Sequence, residues 1–355
     1  MITLRNKIGQ MLIMGFSGSE IHDSSPVAEW LSQDGLGGVL LFDYDVSTGI
    51  HGKNLKNQPQ IKHLTHQLNR YSQQLFDEDN NVLPLLIAID YEGGAIDRLV
   101  HVNDCMTTMS AYEMARLSAE NLDAELSEMA IMLKSLGFNL NFAPVVDLHM
   151  HEQQGIIGAL KRSFSDDPDV IVRLARQFVD VFRRYGIASC YKHFPGHGSA
   201  LGDTHEGFVD VTQTFAESEL IPYYQLVKDV HQPTMIMTAH VINKHLDSGG
   251  LPATLSQEIL TSLLRERMGY DGIIISDDLQ MQSITNHYSI DEALCLTINA
   301  GADMVIFANQ LGTISAQEVI GRIEELVLTQ KIAPYRIEEA YRRIVRLKQK
   351  ISYLE

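Results

Sequence analysis

Short apolar runs alternate along the chain with stretches whose apolar residues recur every three or four positions, the pattern of repeated strand–helix units around a parallel sheet. Eight runs stand out: Met11 to Phe16, Gly38 to Phe42, Leu85 to Asp90, Asn139 to Val146, Ala188 to His193, Thr234 to His240, Gly272 to Asp277 and Asp303 to Ala308. The clearest helix spans Val170 to Tyr185, where Ile171, Leu174, Phe178, Val181, Phe182 and Tyr185 form one stripe, opened by Asp167-Pro168 and closed by Gly186. Further helices are predicted near Pro59 to Leu75, Ala111 to Leu136, Phe215 to Val230, Ser256 to Met268, Ile290 to Ala300, Ser315 to Thr329 and Pro334 to Ile351. The start, Met1 to Phe16, has Arg5 and Lys7 before a short apolar stretch broken by Gln10, and it reads as a first strand and not as a signal peptide. Eight strands with intervening helices predict an α/β fold, a (β/α)8 TIM barrel, with an open doubly wound sheet as the alternative. No low-complexity or Pro/Gly-rich linker interrupts the pattern, so residues 1–355 are expected to form a single domain.

Polar residues fall where a barrel would carry its chemistry, at the carboxyl ends of the strands. Asp90, Asp147, Lys192 with His193, His240, Asp277 with Asp278, and Asn309 each follow an apolar run. The densest cluster is Lys192-His193-Phe194-Pro195-Gly196-His197-Gly198, with Asp203-Thr204-His205 close behind. Imidazole changes charge near neutrality, and a carboxylate two residues away can fix its tautomer, so this run reads as proton-transfer machinery. A metal site built from His193, His197, Asp203 and His205 is the competing reading, disfavoured because Pro195 and Gly196 break any helix that would align the ligands.

Ile273 to Ile275 followed by Ser276-Asp277-Asp278 places two carboxylates just past an apolar strand. Strand alternation aims one of them into the barrel mouth, where it can attack an electrophilic sugar carbon; helix capping by both is the alternative. Asp90-Tyr91-Glu92-Gly93-Gly94-Ala95-Ile96-Asp97-Arg98 brackets a Gly-Gly turn with charge. Asp90 and Arg98 could grip vicinal hydroxyls, or pair with each other to shape the loop. Arg162, in Lys161-Arg162-Ser163, matters only if its loop folds over the mouth. The segment from Asp43 to Gln60 follows the second strand, and its His51, Lys53 and Lys56 either extend the binding region or form a solvated loop.

A formal net charge of −17 disfavours nucleic acid and anionic membranes as partners. No stretch approaches the roughly 20 apolar residues of a membrane span. The widely spaced Cys105, Cys190 and Cys295 argue against a disulfide framework and fit a reducing, cytoplasmic setting, with secretion the alternative if a leader has been removed.

The segments IGQMLIMGF, GGVLLF, DYEGGAIDR, NLNFAPVVDL, KRSFS, KHFPGHG with DTH, TAHV, PATLS, IIISDDLQM and AGADMVIFAN, in this order and spacing, resemble glycoside hydrolase family 3 over nearly the whole chain. Within that family the likeness is to single-domain bacterial β-N-acetylglucosaminidases of peptidoglycan recycling. The resemblance implies a retaining mechanism with Asp277 as nucleophile and His205, held by Asp203, as acid/base. It also implies that Asp90, Arg98, Arg162, Lys192 and His193 bind the sugar, that no second α/β sandwich domain is needed, and that the substrate is a small saccharide. No cofactor or metal and a monomeric state are expected. Ala95 and Tyr91 depart from residues common in the family.

In the final picture of the histidine run, Lys192 and His193 bind sugar, Pro195 to Gly202 acts as a hinge, and His197 shapes the loop by hydrogen bonding. The same-class alternatives are a β-glucosidase, a β-xylosidase or a glycoside phosphorylase, the last because a neutral imidazole repels phosphate less than a carboxylate does. Attack by the substrate's own acetamide is a mechanistic alternative suggested by the Asp277-Asp278 pair. An inactive sugar-binding barrel is the alternative from another class.

Overall fold

The computed structural model describes residues 2–72, 82–202, 207–229 and 234–352. All eight predicted runs contain strands: β1 Leu12–Gly15, β2 Gly38–Leu40, β3 Leu86–Ile89, β4 Leu140–Asn141, β5 Ala188–Phe194, β6 Thr234–Thr238, β7 Ile273–Asp278 and β8 Met304–Phe307. Each pairs in parallel with its neighbours in sequence, and β8 closes on β1 through Leu12↔Val305, Ile13↔Ile306 and Met14↔Phe307. The sheet is therefore a closed (β/α)8 barrel, not an open one. Helices cover its outer face and side chains fill its interior, which is why the strands read as continuous apolar runs.

Two strands lose their register where chemistry was expected. On β5, Tyr191 pairs with Ile236 and Phe194 with Thr238, so three steps along β5 match two along β6, with Lys192 and His193 in the irregular stretch. On β7, Ile275 pairs with Met304 and Asp278 with Ile306, leaving Ser276 and Asp277 in a second irregularity. Bulges of this kind re-aim side chains at barrel rims. The Lys192-His193, Phe194-Pro195 and Ala143-Pro144 peptides are cis.

The helix Pro168–Arg184 forms as its stripe predicts, with the Asp167 side chain capping Asp169 N–H and Pro168 in the first turn. Such a cap contributes about 1 kcal/mol. Other boundaries depart from expectation. Residues Leu4–Gln10 are a helix ahead of β1, where a strand was expected, because Thr3 and Asn6 form a reciprocal capping box. Gln10, which interrupts the apolar run, is buried and donates to Gly35 O at 2.7 Å. The predicted Ala111 to Leu136 helix is split into Ala111–Met114 and Ala119–Leu136, each opened by its own serine cap, Ser110 and Ser118. The Phe215 to Val230 prediction becomes a 3-10 turn, Glu217–Leu220, and a short helix, Ile221–Leu226. The helix Pro26–Ser32 escaped the sequence reading. No helix among the described residues is long and apolar enough to cross a membrane.

Candidate active site

A cleft of about 240 Å³ opens at the carboxyl ends of the strands and is lined by Asp90, Arg98, Arg162, Lys192, His193 and Asp277, six of the eight site residues expected from sequence. The other two, Asp203 and His205, lie outside the described residues.

The floor of the cleft is an ionic network centred on Glu92. Asp90 follows β3, and Glu92 stands two residues further in the short hairpin Tyr91–Gly93/Ile96–Asp97. Arg162 grips Glu92 with two bonds, Nε to Oε2 at 2.8 Å and Nη2 to Oε1 at 2.7 Å. Lys192 Nζ lies 2.7 Å from Glu92 Oε1 and 3.1 Å from Asp90 Oδ1. Burial would raise the Glu92 carboxyl, but the Arg162 and Lys192 charges outweigh it and hold it well below the usual range. Burial likewise works against the Lys192 charge, and Glu92 with Asp90 overcomes it, so the ammonium is held above its ordinary value. The loop carrying Arg162 thus does fold over the mouth. Arg98 is looser, 3.8 Å from both Asp90 and Asp43, so the internal pairing foreseen for it exists in extended form.

Asp147, beyond β4, organises the histidine run. Both its oxygens accept from His193 N–H at 3.1 Å, Oδ1 accepts from His197 N–H at 2.9 Å, and Oδ2 lies 2.8 Å from His193 Nδ1. Burial raises this carboxyl, but the facing His193 more than compensates and keeps it ionised. An ionised carboxylate only accepts, so His193 carries its proton on Nδ1, and in the neutral ring Nε2 is left as an acceptor. His197 does shape the loop by hydrogen bonding, but through its backbone N–H, while its ring Nδ1 is buried without a hydrogen bond. Burial, reinforced by His193, pushes its pKa down to about 4, so the ring is neutral at pH 7.

At the end of β7 the two aspartates divide their work. Asp278 Oδ1 accepts from Gln280 N–H and Ala308 N–H, both at 3.1 Å, clamping β7 to the turn after β8. Asp277 is less buried and borders the cleft, with Oδ1 accepting from Asp278 N–H at 2.8 Å. His240 supports this strand end from behind, its Nε2 3.0 Å from Asp278 O and its Nδ1 2.7 Å from Thr254 Oγ1. The TAHV and PATLS segments thereby acquire a structural role.

Of the stretch expected to act as a hinge, Pro195 to Ala200 is held in place, while Leu201 and Gly202 are exposed. Residues 194–200 are buried, Ser199 N–H donates to Glu219 at 3.1 Å, and a Cβ on Gly198 would lie 2.2 Å from Leu148 O. Beyond the undescribed residues, Val209–Asp210 pairs with Val241–Ile242 and Phe208 stacks on His287 at 3.7 Å. The segment after β2 is part anchored and part solvated: Lys53 is buried and donates to Asn309 O at 2.6 Å, and Tyr44 and Val46 border the cleft, while residues 46–51 and Lys56 are exposed.

Glu92, Asp147 and Asp43 are the site residues that sequence reasoning left out of the expected set. Glu92 had one usable signal, its spacing of two from Asp90, which puts both on one face of an extended segment. Asp147 stood in the ring of strand-end polar residues, but nothing local tied it to a histidine 46 positions away.

Comparison with known proteins agrees with this architecture. Over 348 residues the chain is 31% identical to a protein named beta-hexosaminidase A from Pseudoalteromonas piscicida, covering 92% of this chain and 55% of that protein's length. It is 32% identical over 302 residues to a beta-hexosaminidase of Tolumonas auensis, covering 84% of this chain and 82% of the relative. The solved structure of a glycoside hydrolase family 3 beta-N-acetylglucosaminidase from Paenibacillus sp. FPU-7 superposes with a TM-score of 0.84 at 28% identity, over 99% of this chain and 63% of that one. Residues 3–347 match the glycosyl hydrolase family 3 N-terminal domain, and the chain belongs to that family.

Proposed function

We propose that this protein is a retaining exo-β-N-acetylglucosaminidase, acting on terminal β-linked N-acetylglucosamine in muropeptide or chitin-type saccharides. The observation that carries the reading is the pairing of an Asp277 carboxylate at the cleft wall with a preformed floor of Glu92, Arg162, Lys192 and Asp90. The two carboxylates engage two of the three Lys192 ammonium protons, which leaves one for a sugar hydroxyl. Asp90 offers acceptor oxygens beside it, and His193 borders the same cleft. Several fixed partners of this kind orient a pyranose ring against Asp277.

In the proposed chemistry Asp277 attacks the anomeric carbon while protonated His205 gives its proton to the departing oxygen. Water, deprotonated by His205, then breaks the glycosyl–aspartate ester and releases the sugar with retained configuration. Asp203 holds the imidazole. What supports the assignment is the flanks of that segment: Ala200 and Val209 pack with Val211, Ala239 and Val241, next to the end of β6.

Initial rates on paired chromogenic β-N-acetylglucosaminide and β-glucoside substrates test the reading. The N-acetylated substrate is expected to win, and Asp277→Ala and His205→Ala to remove turnover. Preference for the unacetylated sugar would reassign the enzyme to a β-glucosidase. Saccharide binding without product would point to an inactive barrel.

A further inference from the structure

At the rim of the cleft, joined to the network just described through Arg98, Asp43, His51 and His101 turn potential ligand atoms toward one another. All three atoms lie within 4.8 Å of each other. They come from two rim segments. Asp43 follows β2, and the hairpin pairing of Tyr44–Asp45 with Ile50–His51 folds His51 back beside it, with Gly52 N–H donating to Asp43 O. His101 sits in the turn after the third strand's hairpin, where Val100 N–H and Leu99 N–H both bond to Asp97. The two segments touch again at the Asn57↔Asn103 bridge and through the Gln58 side chain, whose Nε2 donates to Asp104 O at 2.6 Å, so contacts other than the histidines also set their spacing.

We infer that Asp43, His51 and His101 form a binding site for a divalent cation of the zinc class. Two imidazoles and a carboxylate are the ligand set such an ion takes, with a fourth position left for water. Bonds of about 2.0–2.2 Å in a tetrahedron put ligand atoms about 3.4 Å apart. His51 Nδ1 stands 3.6 Å from Asp43 Oδ2, and the His51 and His101 rings meet edge-on with centroids 4.2 Å apart. Both histidines are exposed, and no two of the three ligand atoms are more than 4.8 Å apart. A second observation comes from the carboxylate: Asp43 is buried, and its Oδ1 accepts no hydrogen bond. Arg98 is the opposing charge, 3.8 Å from Asp43 Oδ1, and it is shared with Asp90 at the same distance. The Tyr44 ring lies tilted at 58° beside His51, with ring centroids 5.0 Å apart. A bound ion would lace the hairpin after β2 to the turn beyond β3 at the entrance of the cleft.

The test is equilibrium dialysis of the chelator-stripped chain against Zn²⁺, with Co²⁺ titration as a visible-spectrum readout of imidazole ligation. The wild type should bind one equivalent, and His51→Ala and His101→Ala should each weaken binding at least about tenfold. A His193→Gln variant should retain the ion, which separates this site from the histidine run in the cleft. Because both rim histidines are exposed, ion-free melting curves of the variants should overlay the wild type. No ion on the wild type, unchanged binding in both alanine variants, or loss of the ion in His193→Gln would each overturn the proposal.

Discussion

Asp147 does more at this site than any residue of its size. One buried carboxylate accepts from two backbone N–H groups and one imidazole, fixing where His193 stands and which of its nitrogens is protonated. In Asp147→Asn the amide nitrogen brings a donor against two donors, His193 N–H and Nδ1–H. Misplacement by about 1 Å costs on the order of 10²-fold in rate, so kcat/KM is expected to fall by about that much. Steady-state kinetics check this, and an unchanged kcat/KM would show that His193 needs no such support. The sequence made His193 visible because histidine next to lysine at a strand end is chemically conspicuous. Asp147 was one acidic residue among many, and its partner is remote in the chain.

Among the elements, the strands were the most legible because barrel strands are buried on both faces and leave long apolar runs. The register shifts in β5 and β7 left no such trace, although they sit at Lys192-His193 and Ser276-Asp277. A bulge depends on pairing with the neighbouring strand, which no local pattern records. The same holds for the run from Phe194 to Ala200: glycine and proline suggested freedom, whereas the tight approach of Gly198 to Leu148 O shows that small residues are there to let backbones meet. Glycine serves both ends, and only packing tells them apart.

The other end of the barrel is held by a second ionic cluster. Asp303, immediately before β8, is fully buried and receives Arg265, Arg336 and Arg343 from the surrounding helices, together with Ile274 N–H at 3.1 Å. Contacts at this end of a barrel serve stability. Removing one partner of a buried ion cluster typically costs about 3–5 kcal/mol, the loss expected for Asp303→Asn in urea unfolding, with KM unchanged in the folded fraction. A shift in KM without a loss of stability would contradict this division between the two ends.

For the whole molecule, pH acts through groups that are buried in one charge state. His197 has a folded pKa lowered to about 4 by burial and by His193. Between its ordinary value near 6.5 and that folded value, the unfolded chain binds a proton that the folded chain refuses. Stability therefore falls as pH falls through this window, by on the order of 3 kcal/mol from this residue. Glu92 and Asp147, held below the usual carboxylate range, act at lower pH: their contribution is present above the ordinary carboxylate pKa and is lost as pH falls through their folded values. Denaturation midpoints across the mildly acidic range should show the first slope in the wild type and a flatter one in His197→Gln. Equal slopes in both would assign the effect elsewhere.

In the proposed mechanism everything turns on a covalent bond between Asp277 and the sugar. The most direct measurement is mass spectrometry of the protein after incubation with a ring-fluorinated N-acetylglucosaminyl fluoride, which keeps the acetamido group while slowing breakdown of the intermediate. One sugar adduct per chain is expected, mapped by proteolysis to the peptide containing Asp277 and absent from Asp277→Ala. An adduct on another residue, or turnover of the reagent with no adduct at any time, would contradict it and favour attack by the substrate's own acetamide.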